Sequence, residues 1–343
     1  SFPPEERGKA LGINAISSSA GLAIGPSLGG FITALLGWRF AFLINIPIGI
    51  IGLLWGRHSI PESKGQPGRI DVLGALLAFI SLFSILFLIN RSHSEGLAWL
   101  SPFLLAIAIL AGIGFIWTEK RTNQPMLHLA LFRNVTFCFA NLSALLNFMS
   151  QYVMVFLTPF YLQRVVHCAP NKLGLIMTSF PLAVMAVAPF SGSLSDRIGT
   201  RVLACSGASI CAISLFFMAG LSSSANSKDV IWRMVLFGIG TGIFQSPNNS
   251  TVMGNVPREH LGVASGILAT MRNIGMALGI AIGGAVLYAF APPSLLQKSF
   301  LEGWEAEVFL SALKYAYSFG GALSVAAAFA SLVRSRAASS AAL

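Results

Sequence analysis

The groups in this 343-residue chain that could move a proton, attack a carbonyl or hold a metal are twelve carboxylates, five histidines and four cysteines. The carboxylates stand at positions 5, 6, 62, 71, 95, 119, 196, 229, 259, 302, 305 and 307, and none falls in the middle of an apolar run. The histidines at 58, 93, 128, 167 and 260 also sit in breaks or at run ends. Cysteines 138, 168, 205 and 211 show neither paired nor metal-ligand spacing, so they read as small apolar fillers and no metal site is expected. An enzyme working inside a membrane needs a catalytic group within a span, such as HExxH or a Ser-His set, and none is visible. Gly238-Ile-Gly240-Thr-Gly242 invites a nucleotide-loop reading, but it follows no strand, lacks the phosphate-loop spacing and lies in an apolar run. An ATP-driven pump is disfavoured on the same ground.

What remains is a sparse polar set inside the apolar runs. Arg272 is the one charge deep in a run, ten residues past Gly262 and so about 15 Å along a helix. It is either a buried arginine satisfied by carbonyls or a cavity residue meeting a substrate or an acidic partner. Asn147 and Gln151 lie one helical turn apart, with Tyr152 adjacent, while Gln245, Asn248 and Asn249 flank Pro247. Hydrogen bonding between helices and the lining of a cavity both account for such residues.

The elements that must position them follow from composition. The chain is 55% hydrophobic and 10% charged, with mean hydropathy +0.75, which excludes an ordinary soluble globule and a disordered protein. About 20 apolar residues cross the hydrocarbon of a bilayer. Ten candidates are legible: Leu11–Leu36, Phe40–Trp55, Val72–Ile89, Leu97–Trp117, Val135–Phe160, Leu173–Gly192, Arg201–Gly220, Ile231–Met253, Val263–Phe290 and Tyr315–Val333. They are continuously apolar rather than alternating, so the expected class is all-α and polytopic, not a β-barrel. The net charge of +10 is spread over the breaks, as loop charge is, and implies no nucleic-acid partner. Thirteen of the basic residues fall on the side of both tails and eight on the other, which predicts cytoplasmic tails in a cell membrane.

The chain also repeats itself. A shift of 254 residues carries Gly8, Gly12, Gly21, Gly25, Gly29 and Gly30 onto Gly262, Gly266, Gly275, Gly279, Gly283 and Gly284, and Pro3 and Glu5 onto Pro257 and Glu259. Small residues four apart share a helix face and let two backbones approach. The two glycine-rich helices are thus expected to be equivalent members of parallel repeats. Four spans precede the second copy within its half, so the same offset predicts about four spans and roughly 120 residues before Ser1. The expected organisation is the end of an N-terminal bundle at 1–57, its fifth and sixth helices. Two extra central helices follow at 58–133, then a six-helix bundle at 134–336 and a cytoplasmic tail at 337–343.

Gly21-Leu-Ala-Ile-Gly25-Pro26-Ser-Leu-Gly29-Gly30, followed by Gly37-Trp38-Arg39-Phe40 and Asn45-Ile-Pro47-Ile-Gly49, resembles the antiporter motif of the major facilitator superfamily, in its fourteen-span drug/proton antiporter branch. Gly192-Ser-Leu-Ser-Asp196-Arg197-Ile-Gly199-Thr-Arg201 resembles the superfamily's signature loop, in its second-half copy. The resemblance covers essentially the whole chain. It implies a helical bundle of two pseudo-repeats that exports amphipathic drugs or metabolites by alternating access. A specific metabolite exporter or an uncoupled facilitator is the alternative on the same scaffold. It implies that the loop, with Asp196, Arg197 and Arg201, gates one side of the membrane. It also implies no cofactor besides a coupling proton, whose carboxylate is expected in helices preceding Ser1. The lipid bilayer and small amphipathic substrates are the expected partners, with a periplasmic adaptor if the source has two membranes.

Overall fold

The computed structural model describes residues 21, 24–25, 28–59, 71–91, 100–122, 129–257, 260–296, 298 and 300–333, with the backbone alone at Asn90, Arg91, Leu129 and Asp196. Among them there is no strand. The described residues form nine long helices: α1 Asn45–Ser59, α2 Val72–Arg91, α3 Ser101–Arg121, α4 Val135–Arg164, α5 Pro170–Ile198, α6 Thr200–Ala219, α7 Ser227–Gly254, α8 Leu261–Phe290 and α9 Trp304–Leu332. The described residues of 21–35 are also helical. Among the described residues eight helices are long and apolar enough to cross a membrane, counting Phe40–Ser59 as one. The exception among the nine is α7, whose glycines, Gln245 and asparagines lower its apolarity. At 28 residues and about 42 Å it still has the length to span.

Local chemistry sets several helix ends. The Asn134 side chain accepts from the Phe137 amide to start α4. At α7 Asn226 and Asp229 form a reciprocal capping box, satisfying donors that have no partner within the helix. One residue, Gly199 at φ +89°, separates α5 from α6. A side chain at that angle would be strained, so glycine there permits a reversal without a loop. The signature stretch, expected as a connection, is therefore mostly helix, since 192–198 form the last two turns of α5.

Helices α4 to α9 pack as a six-helix bundle. α7 lies between α5 and α6, α6 also packs on α9, and α8 and α9 both pack on α4. The core runs along α4 through Val153, Met154, Leu157 and Tyr161, and meets Phe237 of α7 and Phe309 and Tyr317 of α9. The α2–α3 hairpin, tied by Ser81 Oγ donating to the Ala108 carbonyl at 2.9 Å, touches the bundle through α8. No residue of α1 is buried.

Lipid tails are as apolar as leucine, so small residues and interhelical hydrogen bonds must hold such helices together. Both devices are present. Gly207 of α6 and Gly240 of α7 meet backbone to backbone, and a Cβ on Gly207 would lie 2.6 Å from the Gly240 carbonyl oxygen. Between α4 and α9 runs a ladder of buried hydroxyls. Ser143 pairs with Ser331 at 2.7 Å, Ser150 with Ser324 at 2.8 Å and Thr158 with Tyr317 at 3.1 Å. The rungs fall two helical turns apart in antiparallel register, and each exchanges a hydroxyl that lipid would leave unpaired for a partnered one.

Candidate functional site

The seven polar residues expected near a cavity divide by burial. Asn147, Gln151 and Asn248 lie inside the bundle, at 0%, 5% and 1% exposure. Asn248 donates from Nδ2 to the Ala140 carbonyl at 3.2 Å, joining α7 to α4. Ala140, Ala144, Asn147 and Gln151 follow one another at helical spacing, so they share one face of α4. On that face both polar atoms of the Asn147 amide and Oε1 of Gln151 have no hydrogen-bond partner among the described residues. The Cys211 thiol of α6 lies against the Asn147 amide without hydrogen-bond geometry, and Thr241 of α7 is 3.6 Å from the same sulfur. Asn147 thus stands where α4, α6 and α7 converge, with its desolvation unrecovered among the described residues.

The other four open outward. Tyr152 and Gln245 are half-buried, while Asn249 and Arg272 are exposed. Asn248 and Asn249 show how this comes about, since neighbours in a helix point about 100° apart and so one turns in as the other turns out. Arg272 of α8 is the charged neighbour of the Tyr152 phenol of α4. Among the described residues its guanidinium projects from an accessible face. Among the described residues no carboxylate forms an ion pair with it.

The glycine-rich helices differ in what they touch. On α8, a Cβ at Gly275 would lie 2.7 Å from the Leu145 carbonyl oxygen, Gly279 abuts the Met149 backbone and Gly283 packs on Val153, all on α4. In the first copy, Gly30 approaches the start of α5, where a Cβ would lie 2.6 Å from the Pro170 carbonyl oxygen and 3.2 Å from the Gly174 Cα. Among the described residues nothing lies within 4 Å of a Cβ at Gly21, Gly25 or Gly29. Pro26 lies outside the described residues. In the signature stretch Gly192 packs on Ser246 of α7, and Arg197 and Arg201 are exposed on either side of Gly199. The Asp196 side chain is outside the described set.

Three features escaped sequence reading: the hydroxyl ladder, the Cys211–Thr241 contact and the convergence on Asn147. The ladder did leave a trace. Hydroxyl residues recur seven or eight apart in 143, 150 and 158 and seven apart in 317, 324 and 331.

The Major Facilitator Superfamily family model matches residues 1–280 and again 139–341. The chain is 35% identical over 282 residues to the riboflavin transporter RibZ of Clostridioides difficile, covering 82% of this chain and 61% of that protein. It is 32% identical over 299 residues to the multidrug resistance protein Stp of Mycobacterium tuberculosis, covering 86% and 55%. To the tetracenomycin C resistance and export protein of Streptomyces glaucescens it is 28% identical over 289 residues, covering 83% and 54%. The chain therefore spans between half and two thirds of the length of these relatives. The crystal structure of a bacterial homologue of the human lysosomal transporter Spinster, inward-facing and unoccupied, superposes with a TM-score of 0.58 at 17% identity, covering 98% of this chain and 72% of that one. That last likeness concerns the fold alone. With a multi-pass helical bundle, a doubled glycine-rich helix and two overlapping matches to one family model, the chain belongs to the Major Facilitator Superfamily of membrane transporters.

Proposed function

We propose that this protein is a secondary transporter of the drug/proton antiport type, exporting amphipathic compounds by alternating access with the tails on the cytoplasmic side. The observation that carries the reading is the pair of glycine-rich helices related by 254 residues. One locks to α4 through Gly275, Gly279 and Gly283, and the other meets α5 at Gly30, with no described residue within 4 Å of a Cβ at Gly21, Gly25 or Gly29. Two halves that rock must be rigid within and separable between, and a close glycine seam serves the first need while a lightly contacted glycine face serves the second. Gly21, Gly25, Pro26, Gly29 and Gly30 seal the interface. Gly192, Asp196, Arg197, Gly199 and Arg201 gate one side, across a hinge of one residue.

Tyr152, Gln245, Asn249 and Arg272 line the accessible face and meet substrate. A lone arginine there favours anionic compounds or strong hydrogen-bond acceptors over cations. The relatives named for multidrug resistance and for tetracenomycin C resistance and export support a drug-exporting reading. The relative named as a riboflavin transporter supports the second reading, a specific metabolite transporter. The proton is the proposed coupling ion, and the fourteen-span branch is the proposed subfamily.

The intact protein, expressed in a host stripped of its own efflux systems, tests this against a panel of amphipathic compounds that includes riboflavin. Lower cellular accumulation of several unrelated compounds is the expected result. Lowered accumulation of one compound alone selects the metabolite transporter, and accumulation unchanged throughout contradicts export.

A further inference from the structure

Between α6 and α9 lies a cavity of about 290 Å³, lined by Cys205, Ser209, Ile213 and Phe216 on one side and by Phe329 and Leu332 on the other. It exists because nine of the twelve residues of α9 over 320–331 are glycine, alanine or serine, leaving room that bulkier residues would fill. Its lining is apolar and opens outward, with Ile213 49% and Phe329 63% exposed. From Cys205 to Phe216 is about 16 Å of helix, roughly half the 30 Å of a bilayer's hydrocarbon. The groove is therefore one leaflet deep. Arg201 precedes Cys205 and Ser209 at steps of four, so it stands on the same face of α6 and crowns the groove's outer end, exposed and without an ion pair among the described residues. The sequence places Arg334 and Arg336 two and four residues beyond Leu332, the groove's last residue on α9.

We propose that this groove binds one anionic phospholipid of the leaflet on the Arg201 side, its phosphate on Arg201 and one acyl chain along Ser209, Ile213 and Phe329. The proposal rests on the chain's crossing a membrane and is independent of what is exported. A cation at headgroup depth above an apolar slot of single-leaflet length matches a lipid at both ends. A zwitterionic lipid gains only the slot.

The intact protein in detergent is mixed with equal amounts of phosphatidylglycerol and phosphatidylcholine of one chain length. Lipid retained after gel filtration is then counted by native mass spectrometry. Wild type should hold phosphatidylglycerol over phosphatidylcholine by about fivefold, the worth of one basic residue at a membrane surface. Arg201→Glu should level the two, whereas Lys172→Glu, an equal charge change at the far end of α5, should not. Ser209→Phe fills the slot and should lose both lipids. Arg201 is exposed, so its variant keeps the fold and carries the test should Ser209→Phe misfold. Equal retention by wild type, a preference that survives Arg201→Glu, or full retention by a folded Ser209→Phe overturns the proposal.

Discussion

Replacing Gly279 by leucine should remove most of the folded protein, whereas the same change at Gly266 on the same helix should be tolerated. A side chain at 279 would drive into the carbonyl carbon, oxygen and Cα of Met149. These are backbone atoms of α4, and no rotamer change moves them away. Gly266 is exposed, with no described residue within 4 Å of a Cβ. Overpacking costs about 1–3 kcal/mol where side chains can yield, so a backbone clash stands at the upper end. Leucine's better helix propensity returns about 1 kcal/mol at either site. The balance is unfavourable at 279 and neutral to favourable at 266. Gel-filtration yield and thermal melting of the two variants in detergent measure it, and equal behaviour of the pair would contradict the α4–α8 seam.

The second large effect falls on transport rather than stability. Arg272→Gln should leave melting unchanged, because the side chain is exposed and pairs with no carboxylate among the described residues, and such surface changes stay within about 0.5 kcal/mol. Substrate flux should fall by about tenfold to a hundredfold, the range that loss of a charged hydrogen bond of about 1.5–3 kcal/mol implies. Arg272→Lys keeps the charge but not the planar fork and should fall between. A matched loss of stability and flux would make Arg272 a structural residue. Unaltered flux would remove it from the substrate path.

The fold was largely legible because a helix in lipid must be a continuous apolar run, and such runs are counted easily. Its boundaries were less so. Hydropathy reports the hydrocarbon crossing, whereas the helix continues into polar turns. α9 begins at Trp304 rather than near Tyr315, through Glu305, Glu307 and Lys314, and α5 continues to Ile198 past the expected stop at Gly192. Spacing marked the repeated glycines, but of those described only Gly30, Gly275 and Gly279 press against another helix's backbone, because the neighbour each face meets is set by tertiary packing. The polar set was read as one group, and burial split it. Spacing says which residues share a face of α4, but which neighbour the face meets depends on tertiary packing. The hydroxyl spacing is visible in sequence, but its pairing is not, since joining Ser150 to Ser324 requires the α4–α9 register.

The most direct test of proton-coupled export uses the intact protein in proteoliposomes loaded with a substrate from the cellular panel. A pH gradient of either sign is imposed, and substrate movement is followed with the membrane potential clamped. Movement against the proton flux, reversing when the gradient reverses and abolished by a protonophore, is the predicted result. Substrate movement indifferent to the gradient would contradict antiport and leave a facilitator on the same fold.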